Sequence, residues 1–202
     1  MNIVCFRWGK FGDEYVHRLK NMVERNLTIP HNFVCFTDRP IKGVNWSEIP
    51  DEALKLQGNF PKLWVYSEYS GMFDRTILLD LDIVITGSLD KMFSYDGDWC
   101  GVRGFRQEKK PKVSGAVVSF DHSKHHYIWE NREQYKKHRG KERFVYGEIF
   151  KTPDTWQDLY PNQLASYKWD KPSFHKNTRI IAFHGKPRPH QVKDSIILEN
   201  WK

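Results

Sequence analysis

The sequence predicts an α/β fold, a sheet whose strands are joined by crossover helices. Two observations carry this. Short continuous apolar runs, which read as buried strands, alternate along the chain with stretches of helical periodicity. With 202 residues, the chain is also long enough to bury a core of its own without a disulfide or metal staple. Nothing in it resembles a repeat, a low-complexity tract or a linker, so the expectation is one domain over residues 1–202.

Residues 2–7 (Asn-Ile-Val-Cys-Phe-Arg) form the first strand, which runs into a turn at Gly9 and Gly12. From 13 to 25 the apolar positions Val16, Leu19, Met22 and Val23 recur at helical spacing. Asp13 and Glu14 suit the positive end of that helix. A second strand covers 32–37 and ends in the turn Thr37-Asp38-Arg39-Pro40. Pro61 is placed for the first position of a helix carrying Leu63, Trp64 and Val65 up to Gly71. Strands follow at 76–79, 83–85, 98–103 and 114–120, then helices near 123–138 and 141–151. A late strand spans 179–184, ahead of a tail rich in Gly, Pro and basic residues.

Apolar residues make up 39% and aromatics 15%, which excludes a disordered chain, a collagen-like repeat or a coiled coil. The net charge of +7 favours acidic partners without choosing among them. The clusters Lys109-Lys110-Pro111-Lys112 and Lys136-Lys137-His138-Arg139 are short and read as solvated surface. Cys5, Cys35 and Cys100 have neither zinc-like spacing nor a framework, so buried reduced thiols are expected. There is no signal-peptide pattern and no apolar run of membrane-spanning length. These readings make the cytoplasm the expected location, with at most peripheral attachment to an anionic membrane, and predict no integral membrane segment.

The chemistry concentrates in Thr76-Ile77-Leu78-Leu79-Asp80-Leu81-Asp82-Ile83-Val84-Ile85. On extended chain, two carboxylates separated by one residue project to the same side. They interrupt an apolar run, where an unpaired carboxylate is costly to bury. Either a hard divalent cation or a structural ion pair compensates them. A bare D-x-D is common, and Asp96-Gly97-Asp98 is a second instance, read as a turn. At the end of a buried α/β strand the motif carries more weight, because ligands bind at such strand ends. The run Ala182-Phe183-His184-Gly185-Lys186-Pro187-Arg188 delivers an imidazole to a strand end with two cations after it. It suits a metal ligand beside a diphosphate, or equally a basic tail with a capped histidine.

Taken in order, several segments resemble GT-A-type glycosyltransferases, nearest to glycosyltransferase family 8 and glycogenin-like enzymes. These are Val4-Cys5-Phe6-Arg7-Trp8-Gly9 with Tyr15, Cys35-Phe36-Thr37-Asp38, Pro61-Lys62-Leu63-Trp64 and Leu79-Asp80-Leu81-Asp82. Ser114-Gly115-Ala116-Val117, Tyr160-Pro161-Asn162-Gln163 and Phe183-His184-Gly185-Lys186-Pro187 continue the series over nearly the whole chain. The resemblance implies a GT-A domain with a Rossmann-like mixed sheet flanked by helices. It implies transfer of a sugar from a nucleoside diphosphate sugar, with UDP the usual carrier, to an acceptor hydroxyl on a glycan, a lipid-linked glycan or another molecule. The family usually retains the anomeric configuration.

By the same resemblance, Asp80, Asp82 and His184 would hold Mn²⁺ or Mg²⁺. Arg7, Trp8, Thr37 and Asp38 would hold the nucleoside, with Tyr15 stacking on the base. Lys186, Arg188 or both would meet the phosphates. Lys62, Ser114 and Gly115 would face the donor sugar. The sequence departs from the family pattern at three places. Val113 stands where N-S-G has its Asn. Gly147-Glu148-Ile149 stands for the acidic G-D-Q, making Glu148 the expected catalytic and sugar-binding carboxylate. The family's H-x-x-G-x-x-K-P-W puts Ala182 at the His and Arg188 at the Lys, so His184, facing the same way, stands in as the ligand.

Two other classes compete. A nucleotidyltransferase on a similar sheet also uses paired carboxylates, but Arg7-Trp8-Gly9-Lys10 is a faint version of its Gly-rich loop. A basic protein with eight Trp could bind nucleic acid by stacking. That reading gives Asp80 and Asp82 no purpose, so nucleic acid is not expected as a partner.

Overall fold

The computed structural model of the protein describes residues 1–105 and 113–202. The lysine run at 109–112 lies outside the described residues. The strands are β1 (Asn2–Arg7), β2 (Asn32–Thr37), β3 (Trp46–Glu48), β4 (Arg75–Leu79), β5 (Ile83–Ile85), β6 (Trp99–Arg103), β7 (Val113–Asp121), β8 (Asp154–Thr155), β9 (Leu164–Ser166) and β10 (Ile180–Ala182). The helices are α1 (Asp13–Asn26), α2 (Asp51–Leu54), α3 (Asp90–Phe93), α4 (Tyr127–Glu130), α5 (Glu142–Ile149), α6 (Trp156–Leu159) and α7 (Ser195–Asn200). A seven-stranded sheet runs in the order β3-β2-β1-β4-β7-β6-β8, and β5-β10-β9 form a second, three-stranded sheet. The first four strands of the large sheet are mutually parallel, whereas β7 is antiparallel to both β4 and β6.

Both faces of the large sheet are covered, which is why its strands are apolar throughout rather than alternating. Ile3, Cys5, Ile77 and Leu79 face a core shared with α1 and the small sheet. Their neighbours Val4, Phe6 and Leu78 face a second core with Leu63, Tyr66, Phe120, Val145 and Tyr146. On α1, Tyr15, Val16, Leu19, Met22 and Val23 are all buried. Burial of each large apolar chain there stabilises the fold by about 1.5–3 kcal/mol. All three cysteines are buried and unpaired, as their apolar surroundings predict.

The expected strands at 2–7, 32–37, 76–79, 83–85, 98–103, 114–120 and 179–184 correspond to β1, β2, β4, β5, β6, β7 and β10. Two helices differ. The segment after Pro61 is a 3₁₀ helix, Phe60–Tyr66, whose seven side chains are all buried; it has no polar face to present to water. The expected helix at 123–138 is broken into the 3₁₀ turn His122–Lys124, α4, and the 3₁₀ helix Arg132–His138, in which only Tyr135 is buried. A segment so charged has too little apolar face to hold one long α-helix against the sheet. Among the described residues, no helix is long and apolar enough to cross a membrane.

Candidate active site

The carboxyl ends of β1 and β4, the start of β7 and the end of β10 converge on one cleft of about 650 Å³. Asp80 continues β4 by one rung, its N–H donating to the Ala116 carbonyl at 2.9 Å. The chain then turns at Leu81 and Asp82 to enter β5 in the other sheet. The aspartates therefore sit on a turn between two sheets, not on the continuous extended chain that the sequence reading expected. Both carboxylates nevertheless line the cleft, because Leu81 is anchored in the core. The Phe183 N–H donates to the Asp82 carbonyl at 3.1 Å, which ties the aspartate turn to the segment carrying His184.

Two carboxylates this close need positive charge, and protein cations supply it. The buried Lys62 ammonium donates to Asp80 and lies 3.5 Å from Oε1 of Glu142. Arg188 pairs with Asp82, and its guanidinium also covers the ring of Phe11 at 5.0 Å. Burial alone would lower the Lys62 pKa, but the charges of Asp80 and Glu142 outweigh it and hold the ammonium above the ordinary lysine range. For Glu142, burial dominates the pull of Lys62 and pushes its carboxyl up to about 7. The two shifts agree with the geometry. Lys62 spends its charge on the closer Asp80, so Glu142 is only partly compensated. Glu142 Oε2 is buried and has no hydrogen-bond partner among the described residues. This is an unmet hydrogen-bond demand on a buried carboxyl oxygen beside the cleft.

Glu142 was not legible as a site residue. It opens α5, where an acidic residue ordinarily serves the helix dipole in water. What draws it inward is Gly115 on β7: a Cβ there would lie 2.6 Å from Oε1 of Glu142 and 3.1 Å from the Tyr146 ring. Gly115 thus admits the carboxylate rather than lining the cleft itself.

The architecture matches known structures, although no protein-family model and no curated protein sequence matches this chain. The galactosyltransferase LgtC, solved with donor and acceptor sugar analogues, superposes with a TM-score of 0.72 at 14% identity, over 94% of this chain and 89% of that one. An active-site mutant of LgtC gives 0.71 at 14% identity over the same shares. The apo-form glycosyltransferase GlyE of Streptococcus pneumoniae TIGR4 gives 0.69 at 12% identity; the match covers 98% of this chain and 62% of that one. The chain has the GT-A glycosyltransferase fold.

In this GT-A fold, Trp8, Lys62, Asp80, Asp82, Ser114, His184 and Arg188 all line the cleft. Other expected residues lie elsewhere. Tyr15 is 3% exposed, bonded to His190 and packed against Phe11 and Trp201, so it has no face to offer a base. The aromatic ring beside it that does line the cleft is Phe11. Arg7 is buried between Asp13 (3.2 Å) and Asp38 (2.6 Å), and thereby joins the ends of β1, β2 and α1. Thr37 is fully buried and donates to the Arg39 carbonyl at 3.0 Å. These three residues shape the wall from behind.

Glu148 is displaced outright. It is exposed and paired with Lys137 at 2.9 Å and His138 at 2.7 Å, nearly two turns along α5 from the cleft. The α5 carboxylate that does line the cleft is Glu142. Lys186 is exposed and does not line the cleft; the chain turns at Gly185 (φ +84°) and Arg188 is the cation that faces in. Asp96-Gly97-Asp98 forms the bend before β6, with Asp98 paired to Lys124, as its glycine predicts.

Asp80, Asp82 and His184 share the cleft wall, but among the described residues no three His, Cys, Asp or Glu side chains are gathered as a metal-ligand set. His184 Nε2 lies 2.6 Å from the Ser166 hydroxyl, and its ring stacks on Phe105. In kind, two carboxylates and an imidazole facing one cleft fit a hard divalent cation.

Proposed function

We propose that the protein is a glycosyltransferase that moves a sugar from a nucleoside diphosphate sugar, UDP being the default carrier, to an acceptor hydroxyl. The observation that carries this reading is the cation-carboxylate set Lys62-Asp80-Glu142 and Asp82-Arg188 on one cleft wall at the carboxyl ends of β1 and β4. Trp8 and Phe11 offer apolar surface for the nucleoside at the β1 end of the cleft. Arg188 and Lys10 supply positive charge where a diphosphate would lie. Ser114 and Glu142 line the part of the cleft where the hydroxyls of the donor sugar would lie.

In the reaction, the acceptor oxygen bonds the anomeric carbon as its bond to the diphosphate breaks, and the acceptor's proton goes to the departing diphosphate. The resemblance to family 8 favours retention, which needs attack from the leaving-group face; there the departing diphosphate can take the proton and no separate base is required. Fixed positive charge at the leaving group stabilises the transition state without reorganisation. Asp80, Asp82 and His184 would hold Mn²⁺ or Mg²⁺, an ion that neutralises growing diphosphate charge when bound. The fold likeness to LgtC, solved with donor and acceptor sugar analogues, supports the reading.

Incubation with a panel of nucleotide sugars and Mn²⁺ tests it. Release of nucleoside diphosphate that depends on one donor is expected. Release of pyrophosphate, or no turnover of any donor, would overturn it.

A further inference from the structure

A second cavity, of about 670 Å³, adjoins the cleft and shares Asp80, Ser114, Arg143, Phe183 and His184 with it. We infer that this cavity takes an acceptor saccharide carrying a phosphate or carboxylate group. The inference rests on the donor reading above, since it assigns the first cleft to the nucleotide sugar.

Topology fixes which cavity is which. The first runs from the end of β1 to the aspartate turn, the usual nucleotide position in an open α/β sheet. The second opens beyond β7, on the far side of Asp80 and Ser114, so a molecule in it would meet the donor sugar at those two residues.

The lining sets the chemistry. Phe105 and Trp169 contribute aromatic surface of the kind that accepts the apolar face of a sugar ring. Phe105 is held by its stack on His184, with ring centroids 5.6 Å apart and planes at 16°. Arg143 and Lys168 both line the cavity, and neither has a carboxylate within salt-bridge distance among the described residues. The cavity's own carboxylate, Asp80, is already taken by Lys62. Among the described residues, the lining is thus net positive. A neutral acceptor would leave both cations without a counterpart, whereas an anionic one would pair with the Arg143 fork and the Lys168 ammonium.

Two titrations of the full chain test this. Calorimetry with UDP and Mn²⁺ reads the first cleft. With that cleft saturated, methyl glucoside, glucuronic acid and glucose 6-phosphate read the second. At least one of the two charged sugars should bind about tenfold or more tightly than the glucoside. Lys168→Gln and Arg143→Gln should each reduce that preference, and Trp169→Ala should weaken all sugars alike. Equal binding of charged and neutral sugars, binding of none, or a charge preference that survives the double variant would overturn the inference while leaving the donor reading intact. Failure of UDP to bind the wild-type protein would overturn both.

Discussion

A Cβ on Gly115 would sit 2.6 Å from Oε1 of Glu142, closer than a carbon and a carboxylate oxygen can approach. The bare backbone of β7 is what lets α5 lay its first side chain against Lys62. Gly115→Ala must therefore push a buried carboxylate away from its cation or part the helix from the strand. The expected cost is about 1–3 kcal/mol in urea denaturation. Sugar transfer should fall about 10²-fold, the lower end for one lost charge-stabilising contact. Wild-type stability with full turnover would show that Glu142 moves aside freely.

Lys62 faces two carboxylates from one buried position. Lys62→Met leaves both unpaired and should cost about 3 kcal/mol, the lower end for breaking a buried pair, because Asp80 is partly exposed. Lys62→Met combined with Glu142→Gln should recover part of that loss but none of the activity. A double-mutant cycle in denaturant measures the coupling; additive effects would contradict a shared charge site.

Much of this was legible in the sequence. β1, β2, β4 and β7 read as buried strands because both sheet faces are covered. Asp80, Asp82, His184 and Arg188 are charged or titratable groups beside apolar runs, where their types stand out, whereas Lys62 was reached only through the family resemblance. β3, β8 and β9 span only two or three residues each and leave no period to read. Glu142 was hidden because its burial depends on Gly115, distant in sequence. Tyr15 shows the opposite case. It lies four residues before Leu19, and the structure buries it on the core face of α1, whereas the family resemblance assigned it to a base.

The Glu142 carboxyl, pushed up to about 7 by burial, makes stability depend on pH. Between the ordinary glutamate value and 7, the folded state holds a proton that the unfolded state has lost, so stability falls as pH rises through that window. Wild-type thermal stability should decline from pH 5 to 7.5 more steeply than that of Glu142→Gln. Parallel pH profiles for the two proteins would contradict the shift.

Glu148 and Glu142 separate two assignments of the sugar-facing carboxylate. Glu148→Gln loses only exposed pairs with Lys137 and His138 and should change stability by no more than about 0.5 kcal/mol. Its turnover should match the wild type, while Glu142→Gln should lose most activity. Steady-state kinetics of both variants decides the matter, and the reverse pattern would place the donor sugar against the outer part of α5.

The most direct test of the central claim is UDP binding followed by calorimetry, in Mn²⁺ and in EDTA, with the wild type, Asp80→Asn and Asp82→Asn. A site built on those aspartates predicts tight binding only with Mn²⁺, falling to the EDTA level in either variant. Equal affinity with and without the ion, unchanged in both variants, would contradict it.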